Sequence, residues 1–194
     1  MSRTARLHRT TNETDVRVAV DLDGTGRAAV ATGVGFFDHL LDAFAHHSLL
    51  DVEITCEGDL HIDDHHTVED TALVLGEAIA TALGDRAGIT RYGNATVPMD
   101  EALAAAAVDA GGRPYAVIDL PLRTDRIGTF TAQNLPHVLE TFARSAGLTL
   151  HITATGRNDH HLAEAAFKAL ARALRLAVEI DPRRVGIPST KGTT

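Results

Sequence analysis

The sequence predicts an internally duplicated α+β fold, two halves that each run β-β-β-α-β-α. Three observations lead there. HLLDAFAHHSLLDVEITCEG at 39–58 runs ungapped against HVLETFARSAGLTLHITATG at 137–156, and in both an amphipathic stretch passes into an alternating one that ends in glycine. The pairs His65-His66 and His160-His161 then follow at matching places. Upstream, residues 13–21 align ungapped with 101–109, and Arg27 pairs with Arg113. The offset between copies is 88 at Glu13/Glu101, 86 at Arg27/Arg113, 98 at His39/His137 and 95 at the His-His pairs. Order is kept while loops change length, as a duplication leaves it. The halves fall at 1–90 and 91–180, with 181–194 as a tail, and together they form one functional domain.

Each element has a local reason. Residues 4–10 and 14–21 alternate polar and apolar, the period of a half-buried strand. DGTG at 23–26 is turn chemistry, and a third strand follows at 27–32. Over 36–49, Phe36, Phe37, Leu40, Leu41 and Phe44 recur at helical spacing, and a strand follows at 51–57. A second helix begins near Asp63 and Asp64, both suited to the N-cap, with Val68, Ala72, Leu75 and Ile79 on one face. The second half repeats this, with Asp159 as N-cap and Leu162, Ala166, Leu170 and Ala173 as the buried stripe. EALAAAAVDA at 101–110 is a helix former by propensity, yet its partner ETDVRVAVDL alternates. Propensity is the weaker signal, so a strand is predicted. The two sheets fit side by side or back to back across a pseudo-twofold axis.

Composition limits the function. A chain of 194 residues, 44% hydrophobic and 23% charged, builds an ordinary globular core. A net charge of −8 repels polyanions, which argues against a nucleic-acid partner, while a few local arginines still suffice for a small anion. Cys56 is the only cysteine, so there is no intrachain disulfide and no CxxC site. MSRTARLHRTTNET lacks an apolar leader, and no run reaches the roughly 20 apolar residues of a membrane span. A cytoplasmic protein without a membrane partner is expected.

The chemistry lies in the histidines. In HHxxE, positions i and i+3 or i+4 share a helix face, so either His65 or His66 can ligate one ion with Glu69, and His160 or His161 with Glu164. Adjacent residues diverge by about 100°, which frees the other histidine for a second ion. One such motif is ordinarily a solvated patch. Two at aligned positions, each with an aligned upstream histidine (His39 and His137), point to a composite site of eight ligands. Nitrogen and oxygen donors without thiolate suit manganese, iron, zinc or nickel. His46 and His47 either cap a helix end or lie exposed, and His8, His61 and His151 have no partner pattern.

Other motifs are weaker. VDLDGT at 20–25 resembles a phosphatase nucleophile motif, but a strand with Asp15 and Arg17 precedes it and another strand follows. GIPSTKG at 186–192 offers backbone N–H groups, Ser189, Thr190 and Lys191 as a phosphate clamp, with Arg91 and Arg113 as bidentate partners. Glu13 and Glu101 are acid/base candidates.

The stretches FFDHLLDAFAHH, IDDHHTVEDTALVLG, VPMDEAL, GRPY, GRNDHHLAEAAFK and PSTKG together resemble the imidazoleglycerol-phosphate dehydratase family of histidine biosynthesis, in its monofunctional form. The resemblance implies a ribosomal-protein-S5 domain 2-like fold, each half a four-stranded sheet backed by helices. It also implies a 24-subunit homo-oligomer with sites between subunits and two manganese ions per site. The implied ligands are His39, His65, His66, Glu69, His137, His160, His161 and Glu164. Glu13 matches the acid/base residue, with Glu164 in reserve. Arg91, Arg113, Ser189, Thr190 and Lys191 fall in the phosphate-binding stretches, and His47 lies in the substrate-contacting helix. One departure is Ala43, where relatives often carry a polar residue. The implied reaction dehydrates D-erythro-imidazole glycerol phosphate to imidazole acetol phosphate, through an imidazolate bound between two metal ions. A metal-storage protein would need the ligands without the arginines and tail. A dinuclear hydrolase would need a bridging carboxylate, for which only Glu69 and Glu164 are on offer.

Overall fold

A computed structural model describes residues 2–192. The first half comprises β1 (Thr4–Thr10), β2 (Thr14–Asp21), β3 (Ala28–Ala31), α1 (Gly35–Ser48), β4 (Asp51–Gly58) and α2 (His65–Leu83). The second comprises β5 (Tyr92–Met99), β6 (Ala102–Asp109), β7 (Tyr115–Asp119), the short hairpin β8 (Arg126–Ile127) and β9 (Phe130–Thr131), α3 (Asn134–Ala146), β10 (Thr149–Thr155) and α4 (Asp159–Val178). The main sheets run β1-β2-β4-β3 and β5-β6-β10-β7, the same order in both halves. Within each sheet, β3–β4 and β7–β10 pair in parallel and the other pairs are antiparallel. A parallel pair needs a crossover, which α1 and α3 supply. The duplicated α+β prediction is therefore correct.

The sheets lie back to back with the helices between them. Helix α2 packs on β1 and β2 and against α3, while α4 packs on β5 and β6 and against α1. The alanine-rich stretch is a strand after all. Ala102, Ala104, Ala106 and Val108 point inward, and β6 is held by β5 on one side and β10 on the other. Its small side chains form a floor for α4, which comes very close. A Cβ on Gly93 would stand 2.0 Å from the Ala173 carbonyl oxygen. Tertiary fit here overrides helix propensity.

Three local features differ from expectation or were not foreseen. Of the two acidic candidates at the start of α2, Asp63 makes the capping bond, its Oδ1 accepting from His65 N–H at 2.8 Å, while the Asp64 side chain turns away to Thr131. Likewise Asn158, not Asp159, caps α4 by accepting from His160 N–H at 3.0 Å. Residues 120–133 join β7 to α3, and their β8–β9 hairpin accounts for the 12-residue jump in offset from 86 to 98. VDLDGT closes β2 and turns into β3, with Asp23 accepting from Arg3, so no helix follows it. No helix among the described residues is long and apolar enough to cross a membrane.

Candidate metal centres and anion pocket

The eight predicted ligands do not converge on one composite site within the chain. They sort into two trios and two outlying histidines. His39, His160 and Glu164 form one trio, with His39 Nε2 at 3.3 Å and His160 Nε2 at 3.2 Å from Glu164 Oε2. His65, Glu69 and His137 form the other, with His65 Nε2 at 3.3 Å from Glu69 Oε2 and His137 Nε2 at 3.0 Å from Oε1. In each trio one ligand atom per residue lies within 4.8 Å of the others. Of the i+3 and i+4 options, i+4 is realised. Each trio crosses the pseudo-twofold axis. His39 on α1 meets α4, and His137 on α3 meets α2, because those helices pack together.

The second histidine of each pair turns away, its ring at 81° to His65 in one case and 87° to His160 in the other. His66 Nδ1 donates to Asp59 Oδ2 at 2.9 Å, and His161 Nδ1 donates to Glu101 Oε2 at 2.8 Å. Those hydrogen bonds hold both imidazoles more basic than usual. They also leave Nε2 facing outward, as a carboxylate–histidine pair presents it to a metal. In the same way Asn134 Oδ1 takes the His65 Nδ1 proton at 3.2 Å, leaving Nε2 for the trio.

The donors fit a divalent cation. His137 Nε2 is buried without a hydrogen-bond partner, although it faces the Glu69 carboxylate at 3.0 Å. An orphaned buried nitrogen aimed at a carboxylate and a second imidazole is what a metal would satisfy. The trios differ in one neighbour. Lys168 Nζ contacts Glu164 Oε1 at 2.7 Å, whereas the position 95 residues earlier is Leu73. Burial works against the Glu164 carboxylate, but Lys168 and His39 outweigh it and hold its pKa below the usual range. Lys168 was not foreseen; its signal was the i+4 spacing from Glu164 within EAAFK. Phe36 packs its ring 4.9 Å from His160.

Glu13 and Glu101 occupy equivalent places yet differ chemically. Glu101 accepts from His161 and from the Arg157 and Asn158 N–H groups, which pulls its pKa down to about 2. Glu13 lies 3.8 Å from His66 Nε2 with its carboxylate exposed, because Asp59 takes the histidine proton instead. Glu13 is thus the less engaged of the two carboxylates. His47 sits two turns beyond His39 on the face of α1 toward Lys168 and Arg172, and burial, with His46 and those cations, pushes its pKa down. His46 is exposed.

The predicted phosphate binders do come together. Arg91, Arg113, Ser189, Thr190 and Lys191 line one pocket with Tyr92 and Gly111. Arg91 donates to Asp109 at 2.7 and 3.0 Å and to the Pro188 carbonyl at 2.8 Å, and its guanidinium lies 4.7 Å over the Tyr92 ring. Its backbone has φ 76°, strained for a residue with a Cβ, and bonds to Ala177 O and from Ala110 N hold it there. Gly111, which the sequence did not single out, leaves room for Arg91: a Cβ there would stand 2.8 Å from the guanidinium and displace it. Gly88 N–H donates to Gly186 O at 2.9 Å, which docks the tail beside the pocket.

The pocket and the trios lie at opposite ends of the helices. Ala177, which anchors Arg91, follows Glu164 by 13 residues on α4, about 20 Å of helix. Gly88, which holds the tail, lies beyond the C-terminus of α2, whose start carries Glu69.

The chain is similar to known proteins along nearly its whole length. The family profile described as imidazoleglycerol-phosphate dehydratase matches residues 32–174. An imidazoleglycerol-phosphate dehydratase of Sinorhizobium fredii is 55% identical over 195 residues, covering 100% of this chain and 96% of its own. One from Cereibacter sphaeroides is 56% identical over 192 residues, with 98% of both chains covered. The crystal structure of the Staphylococcus aureus enzyme superposes with a TM-score of 0.83 at 35% identity, covering 92% of this chain and 99% of the other. The Pyrococcus furiosus structure, in complex with (S)-C348, gives 0.83 at 38%, covering 97% and 100%. By its sequence along nearly the whole length and by its fold, the chain belongs to the imidazoleglycerol-phosphate dehydratase family.

Proposed function

We propose that this chain removes water from D-erythro-imidazole glycerol phosphate to give imidazole acetol phosphate, a cytoplasmic step of L-histidine biosynthesis, and that it does so with two divalent metal ions, manganese first among them. The pair of imidazole–imidazole–carboxylate trios carries this reading. His39, His160 and Glu164 would hold one ion, and His65, Glu69 and His137 the other. Bound there, the ions would supply the Lewis-acid charge that favours the imidazolate form of the substrate ring.

The chain's own groups do the rest. Arg91, Arg113 and Lys191, with the Ser189 and Thr190 hydroxyls, would grip the phosphate and so fix the ring. Glu13 would move the proton at carbon, since its carboxylate is exposed and unpinned; Glu164, held by Lys168 and His39, is the reserve. Glu13→Gln should keep full metal content and lower kcat by about 10²- to 10⁴-fold, the usual worth of a positioned acid/base group. Retained kcat would move the role elsewhere.

A substrate with three carbons between ring and phosphate cannot span about 20 Å. One chain therefore cannot offer both ends to one substrate molecule. The proposal includes a homo-oligomer in which the trios of one copy face the anion pocket of another, with 24 subunits by resemblance. The outward Nε2 atoms of His66 and His161 suit the same purpose, as ligands to a metal held by a neighbouring copy. A metal-buffering protein would have no use for the arginine–lysine pocket.

Dehydratase assay after chelation, with manganese add-back, tests the reading. Activity should vanish with the metal and return with manganese. Full turnover by metal-free protein would refute metal dependence, and no turnover under any condition would refute the reaction.

A further inference from the structure

Ligand histidines at the very start of a helix face a difficulty, because first turns fray. His65 is the first residue of α2 and His160 the second of α4. Useful metal geometry demands that ligands stay within about 0.5 Å. Something must hold these turns.

The residue before each pair does so, by an unusual route. Asp63 and Asn158 already cap the helices, which leaves Asp64 and Asp159 free. Both are polar yet buried, at 6% and 5% exposure. Both reach the same segment, the 120–133 insertion that only the second half possesses. Asp159 Oδ2 accepts from Arg123 N–H at 2.8 Å, Thr124 N–H at 2.6 Å and Thr124 Oγ1–H at 2.7 Å. Asp64 accepts from Thr131 N–H at 2.7 Å and Thr131 Oγ1–H at 2.6 Å. Aligned residues in the two halves thus grip the two ends of one strap, although the strap itself has no symmetry mate.

The strap is itself firmly seated. Phe130 is fully buried, with its ring 5.9 Å from Phe37 and 6.0 Å from Phe36, which in turn packs on His160. It leads directly into Asn134, which orients His65.

We propose that Asp64 and Asp159 are positioning residues for the two metal trios, clamping the ligand-bearing first turns of α2 and α4 to one shared strap. The proposal rests on the metal reading above. Neither residue touches a trio; each acts through the backbone that carries His65 or His160. The clamp works by hydrogen-bond geometry rather than by charge. Asp159 engages the strap with one oxygen only, and its Oδ1 is buried without a partner, so an asparagine can keep all three acceptor contacts.

Manganese affinity of the full-length assembled protein, measured by chelator competition, tests this. Asp64→Ala and Asp159→Ala should bind manganese about 10- to 100-fold more weakly, the usual effect of removing a group that orients a ligand. Asp159→Asn should stay within about 3-fold of the parent, a rescue that a role through charge would not allow. In a His137→Ala background only the trio with His160 remains, and Asp159→Ala should weaken it there too. Thr124→Val and Thr131→Val remove one strap contact each at less buried positions, so they give the answer if the alanine variants do not fold; they should weaken binding several-fold. Alanine variants that fold and bind manganese like the parent would overturn the proposal, as would unchanged affinity in both valine variants. A parent protein that binds no manganese would overturn the metal reading first.

Discussion

Replacing His137 with alanine should leave each chain with one bound metal ion in place of two and lower turnover by about 10³-fold or more. Lewis-acid stabilisation is worth several kcal/mol, and each 1.36 kcal/mol is tenfold in rate. The fold should be indifferent to the change, because His137 Nε2 makes no hydrogen bond that would be lost. Elemental analysis beside kcat is the check, and full metal content with normal turnover would remove His137 from the site. His39→Ala should lose its ion at least as readily, since Lys168 already competes for the Glu164 carboxylate there.

Arg91→Ala should raise KM, with kcat/KM falling by about 10²-fold, which corresponds to about 3 kcal/mol. Two effects combine. A bidentate cation leaves the anion pocket, and Asp109, only 16% exposed at its side chain, is left as an unpaired carboxylate beside the phosphate. Breaking a buried pair from one side costs about 3–5 kcal/mol, less here because both groups keep some water contact. Removing Asp109 as well should therefore recover part of the loss. A mixed assembly of Arg91→Ala and His137→Ala chains should be more active than either alone, because some sites then combine an intact trio with an intact pocket. No recovery in a proven mixture would mean that one chain holds the whole site.

The repeat made the fold legible, down to the alanine strand that propensity alone misreads. The 120–133 insertion escaped because it has no partner in the first half and its two strands are two residues each, too short for a period. The α4 cap falls one position earlier than expected, at Asn158 rather than Asp159. Asp63 and Asp64 have equal N-cap chemistry, and only the distant Thr131 decides between them. The candidate ligands all stand in the motifs, but which histidine joins which carboxylate depends on how α1 meets α4 and α2 meets α3, a tertiary fact with no local trace. Glu13 and Glu101 were equivalent in the alignment; Asp59, present in one half only, separates them.

Each trio takes a histidine from one half of the chain and a histidine–glutamate pair from the other. A half-length polypeptide on its own could complete neither. Two such polypeptides meeting across the twofold axis would complete both at once, as identical sites. Joining the halves in one chain turned that meeting into an intramolecular event, with an effective concentration of about millimolar or higher. It also let the halves drift apart. Lys168 stands opposite Leu73, Asp59 relieves Glu13, and a single strap serves two helix starts. Covalent linkage is thus what allows two symmetric cradles to acquire unequal neighbours.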